Sequence, residues 1–247
     1  MENRGGYEKC AHLYDLFDTE DNVGFFMHYA LQVNEVVDVG AGTGRLAVAM
    51  AEAGVEVSCV EPSPAMRGEL MRNLDARPEL RSLISINDGD AISFSLGKVF
   101  PAVFMSRSFD HLLDSRERLG ALANIWRHLE TGGWLILDTG VGLMKDHPLA
   151  LAGEAVAGET TYKRYVEQKV IPGQIMEVRL VFEAHRGGEL VERIEETSLA
   201  GVIDRPELRR LLSETGFDID GEFGDYTRKA YQEGDAVLAV EASKRPF

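Results

Sequence analysis

Apolar and polar positions along residues 36–140 alternate in blocks of two kinds. Short runs such as "EVVDVG" (35–40) and "VEVSCVE" (55–61) are almost continuously apolar, as expected of strands buried on both faces. Between them, "TGRLAVAMAEAG" (43–54) carries helical periodicity and closes on Gly54, the residue type favoured just after a helix. Ser63 is placed to cap a helix with Pro64 at its first position, running over 64–75. "LISIND" (83–88) and "PAVFMSR" (101–107) predict two further strands. Leu119, Leu122, Trp126 and Leu129 share one face of a helix over 115–129, and "WLILDTG" (134–140) follows Thr131-Gly132-Gly133 as a fifth strand. Strand–helix alternation of this kind predicts an α/β fold with a doubly wound, mostly parallel sheet. In such sheets ligands sit at the carboxyl ends of the strands, which puts 40–44, Glu61, 88–91 and 106–111 along one rim.

After residue 150 the period changes. "TYKRYVEQKV" and "IMEVRLVFEAHR" read as strands joined through a Pro172-Gly173 turn. Met176, Val178, Leu180, Phe182 and Ala184 fall on one face of the second, with Glu177, Arg179 and Glu183 on the other. Gly187-Gly188 leads into a third strand, "ELVERIEETSL". Asp204-x-x-Glu207 forms a capping box for a helix through Leu208, Leu211 and Leu212, ended by Gly216, and "AVLAVEASK" supplies a last strand. The expected organisation is an N-terminal helical lid (1–34), a nucleotide-binding frame (35–150 and 201–247) and a small antiparallel β insertion (151–200).

Composition narrows the partners. The 247 residues carry 41 acidic against 26 basic side chains, a net charge of −15. That balance argues against nucleic acid, whose phosphates call for a basic face. No apolar run reaches the length of a signal peptide or a membrane span, so no membrane partner and a cytoplasmic setting are expected. Cys59 reads as a core thiol, and two isolated cysteines, Cys10 and Cys59, make no zinc cluster; no metal is expected.

The chemistry concentrates in "VVDVGAGTGRLA" (36–47). A dinucleotide fingerprint needs G-x-G-x-x-G; here the glycines are spaced G-x-G-x-G and Arg45 stands where a small residue belongs. A nicotinamide-dependent oxidoreductase is thereby weakened but stays open. The stretch resembles the first motif of the class I S-adenosylmethionine-dependent methyltransferases, whose frame is Rossmann-like. "CVEPSPAM" (59–66), "NDGDAISF" (87–94) and "HLETGGWLILDTG" (128–140) resemble that family's later motifs in the expected order, with Thr131 where proline is common.

The resemblance implies S-adenosyl-L-methionine as cofactor and assigns it residues. Gly40, Ala41, Gly42 and Gly44 form the loop that lets the methionine half approach the backbone. Asp38 balances the cofactor's amino group, or else is an acid satisfied by neighbouring N–H groups. Glu61 accepts from the ribose hydroxyls, with Pro62 beside it. Asp90 receives the adenine amino group, in preference to Asp88, while Ala91 offers its N–H. Met66 covers the adenine face or belongs to the core. Tyr14 and Ser106 complete the expected cofactor set.

The acceptor is expected near "MSRSFDHLLD" (105–114). Arg107 and His111 are four apart and share a face if the stretch is helical. Both are catalytic candidates, His111 as a base near neutral pH. A histidine merely hydrogen-bonded to backbone is the competing reading. The segment lacks the Asp/Asn-Pro-Pro-Tyr type of motif, which with the acidity points to a small-molecule acceptor bearing nitrogen or oxygen. "YEKCAHLYDLFDTEDNVGFF" resembles the opening of bacterial small-molecule methyltransferases, including those that N-methylate amino sugars. Tyr7, Phe109 and His111 are the expected acceptor contacts. The insertion has two candidate uses, a roof over the acceptor or a homodimer interface. A non-catalytic cofactor-binding protein also remains open.

Overall fold

The computed structural model describes residues 7–17, 19–141 and 144–245; residues 1–6 of the expected lid lie outside them. A seven-stranded sheet has the order β10-β11-β5-β4-β1-β2-β3. Its strands are β1 (Glu35–Val39), β2 (Glu56–Glu61), β3 (Ile84–Asp88), β4 (Phe100–Met105), β5 (Leu129–Gly140), β10 (Phe217–Phe223) and β11 (Val237–Lys244). The first five run parallel, and β10 and β11 pair antiparallel on one side. Because β2 and β4 flank β1 on opposite sides, the chain reverses its winding direction at β1. That opens a crevice beyond the strand ends.

The alternation of β1 builds both cores. Val36 packs with Phe26, Met50, Cys59 and Phe104 on one face, and Val37 with Val103, Leu122, Ile125 and Leu211 on the other. Each such side chain, fully buried, contributes roughly 1.5–3 kcal/mol. The helices α3 (Arg45–Glu52) and α4 (Pro64–Asp75) cover the sheet as the pattern predicts, and Ser63 Oγ accepts from Met66 N at 3.1 Å. Cys10 and Cys59 are both buried free thiols.

α5 (Ser115–His128) departs in detail from its predicted face. Its deep stripe is Ala121, Leu122 and Ile125, with Leu119 and Trp126 only half-buried. Its buried polar residues tie down the loops above the sheet. Asn124 Nδ2 donates to Ala91 O and Phe94 O at 3.2 and 3.1 Å, and Arg118 Nε donates to Leu112 O at 3.0 Å.

The second sheet has four antiparallel strands: β6 (His147–Ala157), β7 (Thr160–Ile171), β8 (Ile175–Arg186) and β9 (Glu189–Gly201). β6 and β10 were absent from the sequence reading. β6 is an exposed edge of small and apolar residues without alternation, and β10 is polar and interrupted by Gly221. α6 (Arg205–Glu214) begins as predicted, Asp204 Oδ1 accepting from Glu207 N at 2.8 Å. Glu207 turns its own side chain to Ser115 and Arg118 instead of closing the capping box.

The N-terminal segment forms two pieces. α1 (Ala11–Tyr14) is one short turn, and Cys10 and Leu13 bury against Leu180 and Phe182 of β8, with the Phe17 ring tilted at 54° against Phe182, 5.6 Å between centroids. α2 (Val23–Ala30) instead sinks Phe25, Phe26 and Tyr29 into the core of the large sheet.

Candidate functional site

β1 delivers the chain into the glycine loop, where Gly40 N and Ala41 N donate to Val60 O at 2.8 and 3.2 Å. All three glycines have left-handed backbones, with φ of +78°, +58° and +82° at Gly40, Gly42 and Gly44. Their missing side chains answer to different neighbours. A Cβ on Gly40 would lie 2.4 Å from Ser108 Cβ, and one on Gly44 would lie 2.0 Å from Leu70 Cδ1. A Cβ on Gly42 would meet nothing within 4 Å. Gly42 faces open cavity, so the close-approach argument applies to it, whereas Gly40 and Gly44 are required by the protein's own packing.

Carboxylates floor the cavity. Glu61, at the end of β2, is buried, its Oε2 accepting from Gly42 N and its Oε1 from Ser63 N, each at 2.8 Å. Burial pushes its pKa up, against the pull of those two N–H groups and of Arg67. Asp38 is buried beside it. Burial is the main reason its pKa rises to about 7; Arg45 opposes the rise, and Glu61 and Asp138 add to it. Asp90 Oδ1 accepts from Ile92 N, Ser93 N and Ser93 Oγ, all at 2.9 Å, and so shapes the turn after β3. Asp88 is held by Arg67 Nη1 at 2.8 Å.

The rim after β4 does not meet the helical condition under which Arg107 and His111 would share a face. Only Phe109–His111 forms a short 3-10 turn, and Arg107 has a left-handed φ of +51°. Its N–H donates to Asp138 Oδ1 at 2.5 Å, and Tyr226 OH donates to Asp138 Oδ2 at 2.8 Å. The Arg107 guanidinium binds Thr19 and Asp21, so Arg107 and His111 do not share a helical face and the Arg107 charge is committed to the N-terminal segment. Phe109, expected at the acceptor, is fully buried in the core and does not line the cavity.

His111 does face the cavity and is exposed to it, although the protein atoms crowded around the ring cut its access to bulk water. Burial lowers its pKa below the usual 6.5, partly offset by a hydrogen bond to the backbone of Leu199. Tyr7 stands edge-on to it at 6.0 Å between ring centroids and to Tyr14 at 5.2 Å. Burial, then the nearby Tyr14 and Cys10, drives the Tyr7 pKa far up, so its hydroxyl is a donor and not a base.

A single cavity of about 710 Å³ joins these parts. Tyr7, Tyr14, Asp38, Gly40, Ala41, Gly42, Glu61, Pro62, Met66, Asp90, Ala91, Ser106, Arg107 and His111 line it; Gly44 and Phe109 do not. Thr43, Ser108, Ser198 and Leu199 also line it, without having been singled out in the sequence. The donor set suits a nucleoside bearing a cation: an open glycine backbone, a buried carboxylate at a strand end and a second one beneath. Among the described residues no three His, Cys, Asp or Glu side chains are grouped to hold a metal ion. No helix among them is long and apolar enough to cross a membrane.

Residues 36–133 match the methyltransferase-domain family. An uncharacterized methyltransferase of Bacillus thuringiensis is 29% identical over 146 residues, covering 55% of this chain and 66% of the relative. The chain thus spans just under two thirds of the length of the curated relatives it matches. The CcbJ methyltransferase of Streptomyces caelestis superposes with a TM-score of 0.81 at 20% identity, over 97% of each chain. The sugar N-methyltransferase KedS8 of Streptoalloteichus gives 0.75 at 22%, over 94% of this chain and 93% of that one. DesVI of Streptomyces venezuelae gives 0.76 at 18%, over 98% and 99%. These structural likenesses establish the fold. The match over residues 36–133 makes this frame similar to a methyltransferase domain, which favours an S-adenosylmethionine site over the nicotinamide alternative.

Proposed function

We propose that this chain transfers a methyl group from S-adenosylmethionine to the nitrogen or oxygen of a small molecule, an amino sugar or similar amine foremost. The observation carrying this is the continuity of one cavity from Gly42, Glu61 and Asp90 to Tyr7, Tyr14 and His111. The sugar and amino-pentose methyltransferases among its structural relatives support the acceptor class. The buried free thiols and acidic surface fit a cytoplasmic protein.

The cofactor supplies a methyl group on a sulfonium sulfur, which leaves as a neutral thioether. The chain's task is therefore to bind, orient and exclude water. Gly42 and Glu61 would hold the cofactor's backbone-hugging part and ribose, Asp38 its positive end, and Asp90, Ala91 and Met66 its base. His111 donates one N–H toward Leu199, so its other nitrogen offers a lone pair. Its lowered pKa keeps it neutral near pH 7, ready to take the proton that an amine or hydroxyl loses as the methyl bond forms.

The test is incubation with methyl-labelled S-adenosylmethionine and a panel of amino and hydroxy sugars, with label read in the isolated product. Label in an amine, lost in His111→Ala, is expected. Cofactor binding without transfer to any acceptor class would favour the non-catalytic binding protein.

A further inference from the structure

Asn22 immediately precedes α2, in the position where asparagine ordinarily caps a helix. Its side chain makes no cap bond, and the residue is completely buried. The amide is used elsewhere. Nδ2 donates to Ser106 Oγ at 2.7 Å, and Oδ1 accepts from Arg45 Nη2 at 2.8 Å. Arg45 opens α3 and Ser106 follows β4, so one side chain links the two sides of the cavity without lining it.

We propose that Asn22 is a positioning residue that holds the Arg45 cation beside Asp38 and orients the Ser106 hydroxyl, so that a side chain touching neither ligand sets the cofactor end and the acceptor rim together. The inference rests on the cofactor reading above. The chemistry of the amide makes the link directional. Ser106 Oγ accepts from Asn22, which leaves its own O–H free to donate toward the cavity it lines. The Asn22 carbonyl oxygen holds the Arg45 fork in a fixed direction.

Several charged or titratable groups face Asp38: Arg45 from α3, Glu61 and Cys59 from β2, and Asp138 from β5. Arg45 favours its ionised form, Glu61 and Asp138 oppose it, and the Cys59 thiol, pushed well above its ordinary range, is neutral. A cationic ligand needs Asp38 ionised. Releasing Arg45 therefore leaves Asp38 protonated to higher pH and moves the pH at which the cofactor binds upward.

The experiment is calorimetric titration of S-adenosylmethionine into the unmodified chain, Asn22→Ala and Asn22→Asp across neutral pH, with circular dichroism of each. Asn22→Asp keeps the shape and brings a carboxylate against Arg45. We expect both variants to fold, Asn22→Ala to bind about fivefold or more weakly near pH 7, and the midpoint of the binding–pH curve to rise in both, further in Asn22→Asp. A merely structural role would lower affinity without moving that midpoint. Equal midpoints in all three proteins would overturn the inference while leaving the cofactor site intact. Absence of binding by the unmodified chain would instead overturn the cofactor reading and this inference with it.

Discussion

Gly40 and Ser108 are packed against each other so closely that a Cβ on Gly40 would stand 2.4 Å from that of Ser108. Ser108 Oγ donates to Val39 O at 2.8 Å, which locks the loop after β4 onto the end of β1. The first glycine of the motif is therefore a joint between two loops of the site.

Gly40→Ala should destabilise the fold by about 1–2 kcal/mol from its left-handed backbone and by about 1–3 kcal/mol more from overpacking. Ser108→Gly in the same chain should recover the second part. Gly42→Ala should show only the backbone cost while weakening cofactor binding. Denaturant unfolding of the three variants, beside cofactor titrations, checks this. Equal destabilisation by Gly40→Ala and Gly42→Ala would remove the distinction.

Glu61→Ala removes the acceptor for Gly42 N and Ser63 N together with the proposed ribose contact. Cofactor affinity should fall by about 1–3 kcal/mol. Unchanged affinity by equilibrium binding would take Glu61 out of the site.

The pH dependence of the ligand-free protein follows from Asp38. Its pKa lies at about 7 in the fold against an ordinary 3.8. A raised pKa means that the fold favours the protonated acid. The stability this contributes is complete below about pH 4 and is lost as pH rises through about 7. Burial raises Glu61, Asp110 and Asp138 in the same direction. A cationic cofactor favours the ionised acid, so the rise in melting temperature on adding S-adenosylmethionine should be larger at about pH 8 than at about pH 6. A shift independent of pH, measured by thermal unfolding, would count against Asp38 facing the cation.

Much of this was legible in the sequence because caps and apolar strands signal locally. Ser63-Pro64 and Gly54 marked helix ends, and the continuous apolar runs gave the central strands. The glycine loop, Glu61, Asp90 and His111 came together because one rule about parallel sheets gathers strand ends. What escaped was set by distant contacts. Nothing local separates Phe109, which turns into the core, from His111, two residues on, which turns into the cavity. Asn22 carries no local signal of its role, because its partners Arg45 and Ser106 are 23 and 84 residues away. Arg107 and His111 would share a face only if their stretch were helical, and the left-handed φ of Arg107 rules that condition out.

His111 titrates below its ordinary 6.5, because burial disfavours its charged form. Once an acceptor is in hand, the rate should stay level down to acidic pH and fall only as His111 gains its proton. His111→Gln should lower the rate by about a hundredfold or more and flatten that acidic limb. A retained limb would assign it to another group.

The most direct measurement is calorimetric titration of S-adenosylmethionine, S-adenosylhomocysteine and NAD into the purified chain and into Gly42→Val. The two sulfur nucleotides should bind the unmodified chain, NAD should not, and Gly42→Val should lose both. NAD binding alone, or undiminished binding by Gly42→Val, would contradict the assignment of this cavity.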